Sequence, residues 1–328
     1  MKFFNSVVLA ALVSTIGALA QADESDNEDF GNLNLDAQGV EGRFSSFKLL
    51  SKVNEFDFLD MKNLITFGDS YTTTNVDYET MISPGRLETS SYGSNWIYHM
   101  SDATGMKFYN FADGGATVTC ELAPAWKETV KSFVDQVRLQ FVPKMTGDGP
   151  FTDWNSNNSL FGIWFGINDV GNLSWGNKDL NRLDYEAMDL LIYFNLVEEL
   201  YNNGARNFIF LGVPSIDRSP FYTVDYPDST IKERVDRYNN LLKDKIQEFY
   251  GKHDDVNAFY YDTYSEFVYI EENYEEYGIT ELHELCPDLN NPDETCLPSE
   301  QYYWGNSLHP THVVHKIMTD DIIEFLEN

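Results

Sequence analysis

Short apolar runs alternate with amphipathic segments along most of this chain, and that alternation constrains its fold more than any other feature. The runs lie at 64–67, 107–111, 160–165, 207–213 and 258–261, each too short for a helix and each reading as a buried strand. Between them, Trp126, Val130, Phe133, Val137 and Phe141 recur at helical spacing. So do Leu190, Phe194, Val197 and Tyr201, in a helix expected to stop at Gly204. Thr230-Ile231-Lys232-Glu233 has the form of a capping box. The helix it opens carries Ile231, Val235, Tyr238, Leu242, Ile246 and Phe249 on one face. A last helix follows Pro310-Thr311, with Val314, Ile317, Met318, Ile322 and Phe325 facing a core. Strand–helix alternation on this scale implies an α/β fold, a parallel sheet covered by helices on both faces. No internal repeat is present.

The ends of the chain read differently. Residues 1–20 have the form of a secretory signal: Lys2 is their only charge, an apolar stretch follows from Val7, and Ala18-Leu19-Ala20 offers a cleavage site. Residues 21–44 carry five acids between Asp23 and Asp29 and few apolar groups, so they read as a disordered tail. One domain is expected over 45–328. No later segment is apolar for long enough to span a bilayer, which points to a secreted, extracellular protein.

The full chain has 53 acidic and 22 basic residues, a formal charge of −31. A field of that sign repels nucleic acid, anionic lipid and acidic polysaccharide, and leaves neutral substrates open. After export, Cys286 and Cys296 are expected to pair across a loop rich in Pro, Asn and Asp, with Cys120 left as a buried thiol. Asn157-Asn158-Ser159 and Asn172-Leu173-Ser174 are glycosylation sequons.

Three strand-like runs end in polar or glycine groups that could do chemistry. The first stops at Gly68-Asp69-Ser70, the second runs into Ala112-Asp113-Gly114-Gly115, and the third ends in Gly166-Ile167-Asn168-Asp169. Taken singly, each is also an ordinary turn. If the strands are parallel neighbours, however, Ser70, Gly115 and Asn168 emerge on one edge of the sheet. A serine hydroxyl there can attack a carbonyl, while a glycine N–H and an Asn amide can hold the oxyanion. The nucleophile needs a base, and of the six histidines His309 sits in a loop just before the final helix. His312 and His315 are expected on the solvated side of that helix. No metal site and no cofactor are expected.

Gly68-Asp69-Ser70, Gly115 after Phe111-Ala112, Gly166-Ile167-Asn168-Asp169 and Leu308-His309-Pro310 together resemble the SGNH (GDSL-type) hydrolase superfamily in order and spacing. Further blocks are similar to fungal acetylesterases of carbohydrate esterase family sixteen: Gly93-Ser94-Asn95-Trp96, Val213-Pro214-Ser215-Ile216-Asp217-Arg218 and Asn306-Ser307-Leu308-His309-Pro310-Thr311. The resemblance covers about residues 60–328. It implies a three-layer, flavodoxin-like α/β/α sandwich and serine esterase chemistry. Ser70 would be the nucleophile and His309 the base, with the backbone N–H groups of Ser70 and Gly115 and the Asn168 amide as oxyanion hole. The chain departs from the pattern at Asn306, where the superfamily usually has Asp. Asn306 can accept the histidine's Nδ1–H but brings no charge, so His309 is expected to titrate near or below about 6.5.

The function these observations imply is a secreted carboxylic ester hydrolase that removes acetyl groups from a neutral, hemicellulose-type glycan or a small ester. A lipase or lysophospholipase would use the same site with a different acyl pocket. A carbohydrate-binding protein without activity is the alternative from another class, supported by Asn306 alone. Oligomeric state is not legible in the sequence.

Overall fold

The apolar runs become strands because residues on both of their faces are buried, as a sheet covered on two sides requires. The computed structural model describes residues 45–172 and 182–328, all within one unit, Ala37–Asn328. The expected signal segment at 1–20, the acidic tail at 21–44 and Ser174 of the second sequon lie outside the described residues. Strands β1 (Phe47–Leu49), β2 (Asn63–Gly68), β3 (Lys107–Asn110), β4 (Ser159–Trp164), β5 (Asn207–Leu211) and β6 (Asn257–Tyr261) form one sheet in the order β1-β6-β5-β4-β2-β3. All pairings are parallel except β1 with β6. Every residue of β2, β4, β5 and β6 is buried. β1 escaped the sequence reading because it is only Phe-Lys-Leu, an edge strand with one side outward.

The helices are α1 (Trp96–Thr104), α2 (133–145), α3 (Ile167–Asn172), α4 (Arg182–Asn202), α5 (Ile231–Lys252), α6 (Thr263–Glu272) and α7 (His312–Glu327). Helix α2 is wound as a π-helix over Gln136–Phe141. α1, α6 and α7 pack together, and α2, α3, α4 and α5 pack together, giving the three layers of the sandwich. β2 lies between β3 and β4, so the chain reverses its direction of winding there. In open α/β sheets, that reversal opens a crevice at the strands' C-terminal ends. Close packing fixes the layers: a Cβ on Gly162 of β4 would come within 2.8 Å of the Trp96 ring of α1. The same indole donates to Thr72 Oγ1 at 3.1 Å, just past the β2 turn.

Four expectations are corrected. The helix expected to include Trp126 and Val130 starts only at Phe133, because Ser132 and Asp135 cap each other there and stop the helix extending backward. Thr230 makes no capping box; its hydroxyl instead donates to Asp228 Oδ1 at 2.8 Å. His315 is buried, because it shares the core face of α7 with Met318 and Ile322 while Lys316 and Asp320 point out. Cys120 is exposed, because the chain turns after Val118 and Thr119 and directs Cys120 and Glu121 outward. Cys286 and Cys296 are joined, their Cα atoms 5.2 Å apart. Of the sequons, Asn157 is exposed, whereas the Asn172 amide is buried and donates to Pro124 O at 2.9 Å.

Candidate active site

A tight turn at the end of β2 presents Ser70. The Asp69 carbonyl accepts the N–H groups of Thr72 and Thr73 at 3.1 and 2.9 Å, and Asp69 Oδ1 accepts that of Tyr71 at 3.0 Å. Ser70 itself is half-buried. Tyr71 then runs inward, its ring against Trp164, His309 and His315, and its hydroxyl donates to Leu308 O at 2.5 Å. That bond pins the loop before α7 onto the β2 turn, across 237 residues of sequence.

The pinned loop carries His309. Its Nε2 lies 2.7 Å from Ser70 Oγ, and its Nδ1 lies 3.0 Å from Asn306 Oδ1. Asn306 Oδ1 also accepts the backbone N–H groups of Leu308 and His309, both at 2.9 Å. Two backbone N–H donors on one atom mean that this atom is the amide oxygen, which fixes the orientation of the Asn306 amide. The amide nitrogen faces outward and donates to Tyr92 Oη at 3.3 Å. Since Oδ1 only accepts, the proton of the neutral imidazole must sit on Nδ1. Nε2 then carries the lone pair and can accept a hydrogen bond from the Ser70 hydroxyl. Burial lowers the His309 pKa to about 4, with no anion beside it to offset the loss of water.

The ends of β3 and β4 close the other side. Asn168 opens α3, and its Nδ2 donates to Ala116 O at 2.9 Å and to Asp69 Oδ2 at 3.3 Å. One amide therefore ties the turn of Ser70 to the loop of Gly115. That loop hangs from β2, through Phe111 N–H to Thr66 O at 2.8 Å and Asp113 N–H to Gly68 O at 3.2 Å. Gly115 takes φ +83°, a left-handed conformation that favours glycine. Trp126 covers it: the exposed indole donates to Gly114 O at 3.2 Å, and a Cβ on Gly115 would lie 2.3 Å from Trp126 Cδ1.

Ser70, Gly115, Asn168, His309 and Asn306 thus lie together at the C-terminal edge of β2, β3 and β4. Sequence reasoning did not single out Tyr71, Asp69 or Asp169 as parts of this edge. The signal was there, since both acids stand beside site residues in an apolar setting. Burial pushes the Asp69 carboxyl up to about 8, helped by the charge of Asp169. Among the described residues no group of three or more His, Cys, Asp or Glu is arranged to hold a metal ion, and no helix is long and apolar enough to cross a membrane. The arrangement can transfer a proton from Ser70 to His309 and hold an oxyanion with neutral N–H donors.

The chain is similar to known proteins. The family model described as GDSL-like Lipase/Acylhydrolase matches residues 64–322. An acetylesterase of Thermothelomyces thermophilus is 33% identical over 80% of this chain and 87% of its own length. A thermolabile hemolysin of Vibrio parahaemolyticus is 24% identical, over 82% of this chain and 64% of its own length. An acetylesterase of Hypocrea jecorina is 26% identical over 54% of each chain.

Proposed function

The chain belongs to the GDSL-like lipase/acylhydrolase family, and we propose that within it this protein is a secreted serine acetylesterase acting on acetylated neutral glycans. The observation that carries the chemistry is the 2.7 Å contact between Ser70 Oγ and His309 Nε2, with Nδ1 already committed to Asn306. In the reaction, Ser70 Oγ attacks the ester carbonyl as its proton passes to His309 Nε2. The tetrahedral oxyanion is held by the backbone N–H groups of Ser70 and Gly115 and by the Asn168 amide. As the intermediate collapses and the acyl C–O bond breaks, His309 gives its proton to the departing sugar oxygen, which leaves as a hydroxyl, and an acetyl group remains on Ser70. Water, deprotonated by the same Nε2, attacks the acyl-enzyme and releases acetate. The imidazolium formed in each half faces a neutral Asn306, so the oxyanion donors supply most of the stabilisation.

The similarity to the Thermothelomyces thermophilus acetylesterase supports an acetyl substrate. The charge of −31 supports a neutral rather than acidic glycan. The paired Cys286 and Cys296 support an oxidising, extracellular setting. A hydrogen-bonded serine and histidine favour an active enzyme over a binding protein that merely kept the fold. The test is hydrolysis of acetyl, butyryl and octanoyl p-nitrophenyl esters beside an acetylated xylo-oligosaccharide. Rates that fall with chain length, with release of acetate from the oligosaccharide, are expected. Rates that rise with chain length would replace this reading with a lipase, and no turnover of any ester would leave the binding protein.

A further inference from the structure

Behind the oxyanion side of the site, two carboxyl groups are buried against each other. Asp169 follows Asn168 in α3, Asp189 lies on α4, and both have an exposure of 0%. Asp169 Oδ1 accepts the Val118 N–H at 2.9 Å, and Asp189 Oδ2 accepts the Tyr238 hydroxyl at 3.2 Å. The remaining oxygens, Asp169 Oδ2 and Asp189 Oδ1, are buried with no protein donor. The two carboxyl groups are nevertheless close enough to act on each other directly. Two ionised carboxylates in such a place would repel and leave two oxygens unsatisfied. One proton between them removes both problems.

The groups facing the pair offer no other solution. Asp69 approaches from the β2 turn, Glu186, Tyr185 and Tyr193 from α4, and Tyr238 from α5. Glu186 is itself held by Arg237, whose Nη2 is 2.8 Å from Oε1. Burial, then the neighbouring charge of Asp169, keeps the Asp189 proton in place well above the usual carboxylate range. Burial also raises Asp169, to about 7.

The structure assigns Asp189 as a positioning residue: it donates a proton to Asp169, and the closed pair holds α3 against the Gly115 loop. Two ties cross that seam, Val118 N–H to Asp169 Oδ1 and Asn168 Nδ2 to Ala116 O. Both end within three residues of Gly115. The pair thus sets the spacing between the Asn168 amide and the Gly115 N–H. When the shared proton leaves at alkaline pH, the two charges push apart, the seam loosens and a second negative charge stands behind the oxyanion. The inference rests on the esterase reading of Asn168 and Gly115.

The test compares Asp189→Asn with Asp189→Ala in p-nitrophenyl acetate hydrolysis across pH, with the infrared band of a protonated carboxyl recorded in parallel. Asn supplies a permanent N–H to Asp169 Oδ2, so most of the activity lost in Ala should return. In Ala, kcat should fall about tenfold or more with KM little changed, a fraction of what one oxyanion donor is worth. In Asn, the alkaline limb of kcat should move upward or vanish, and the protonated-carboxyl signal should diminish. If wild type and both variants share one alkaline limb, or if Asn loses as much as Ala, the inference is overturned. Should Ala fail to fold, the Asn variant's limb and infrared band still decide. Ser70→Ala run alongside separates the two levels: loss of activity there with unmoved Asp189 variants sinks only this inference, whereas retained activity sinks the esterase site itself.

Discussion

Asn306 Oδ1 sits 3.0 Å from His309 Nδ1 and takes two backbone N–H groups of the same loop as well. A neutral amide here does the orienting part of an acidic residue's work without its charge. Burial without a counter-charge leaves His309 at about 4. The imidazole is then a free base at neutral and mildly acidic pH. The sign of the linkage follows: a histidine lowered by folding costs nothing above its ordinary value of about 6.5 and destabilises the fold as pH falls from there toward its folded value.

The acidic limb of kcat/KM should accordingly lie near pH 4 in the wild type. Asn306→Asp should move it to higher pH, because the added carboxylate favours the imidazolium. Asn306→Ala should lose far less activity than His309→Ala. Both follow from pH–rate profiles of the purified variants. An acidic limb unmoved by Asn306→Asp would mean that another group controls the histidine, and an Ala variant as dead as His309→Ala would remove the case for a dispensable third member.

Ser70→Ala should abolish ester hydrolysis and leave the fold intact. The hydroxyl's partner is the half-buried His309, while the turn is held by Asp69 and the backbone. Circular dichroism beside activity checks it; full activity with a native spectrum rules out Ser70 as nucleophile.

Asn168→Ala should lower kcat by about 10²–10³ while KM changes little, since the N–H that rests 3.3 Å from Asp69 Oδ2 turns to the oxyanion only as it forms. It should also cost stability, because Ala116 O and Asp69 Oδ2 lose a buried donor. A change confined to KM would make Asn168 a ground-state binding residue instead.

Gly115→Ala should be costlier than Gly114→Ala. At Gly115, φ is +83° and the new Cβ would meet Trp126, whereas a Cβ on Gly114 meets nothing within 4 Å. The backbone strain alone is of order 1–3 kcal/mol, and any relief of it swings the oxyanion N–H. Removing the clash with Trp126→Ala in the Gly115→Ala background should restore only part of the activity. Full recovery would show that the indole contact, not the backbone, was the constraint.

Local chemistry made much of this protein legible. Both-face burial requires continuous apolar runs, so β2, β4, β5 and β6 announced themselves, and strand–helix alternation implied a parallel sheet. Ser70, Gly115 and Asn168 were readable because each breaks an apolar run at its end, where a parallel sheet collects its functional groups. What lay outside local pattern was decided by contacts distant in sequence. Trp126 has helical spacing but lies outside the helix, since Ser132 and Asp135 cap it first. His315 looked solvated beside His312, yet the direction in which α7 packs puts it against Tyr71 and Trp164. Asp169 and Asp189 are ordinary acids in the sequence. Only when α3 is packed against α4 do their carboxyl groups lose water together, and that shared desolvation gives the pair its proton.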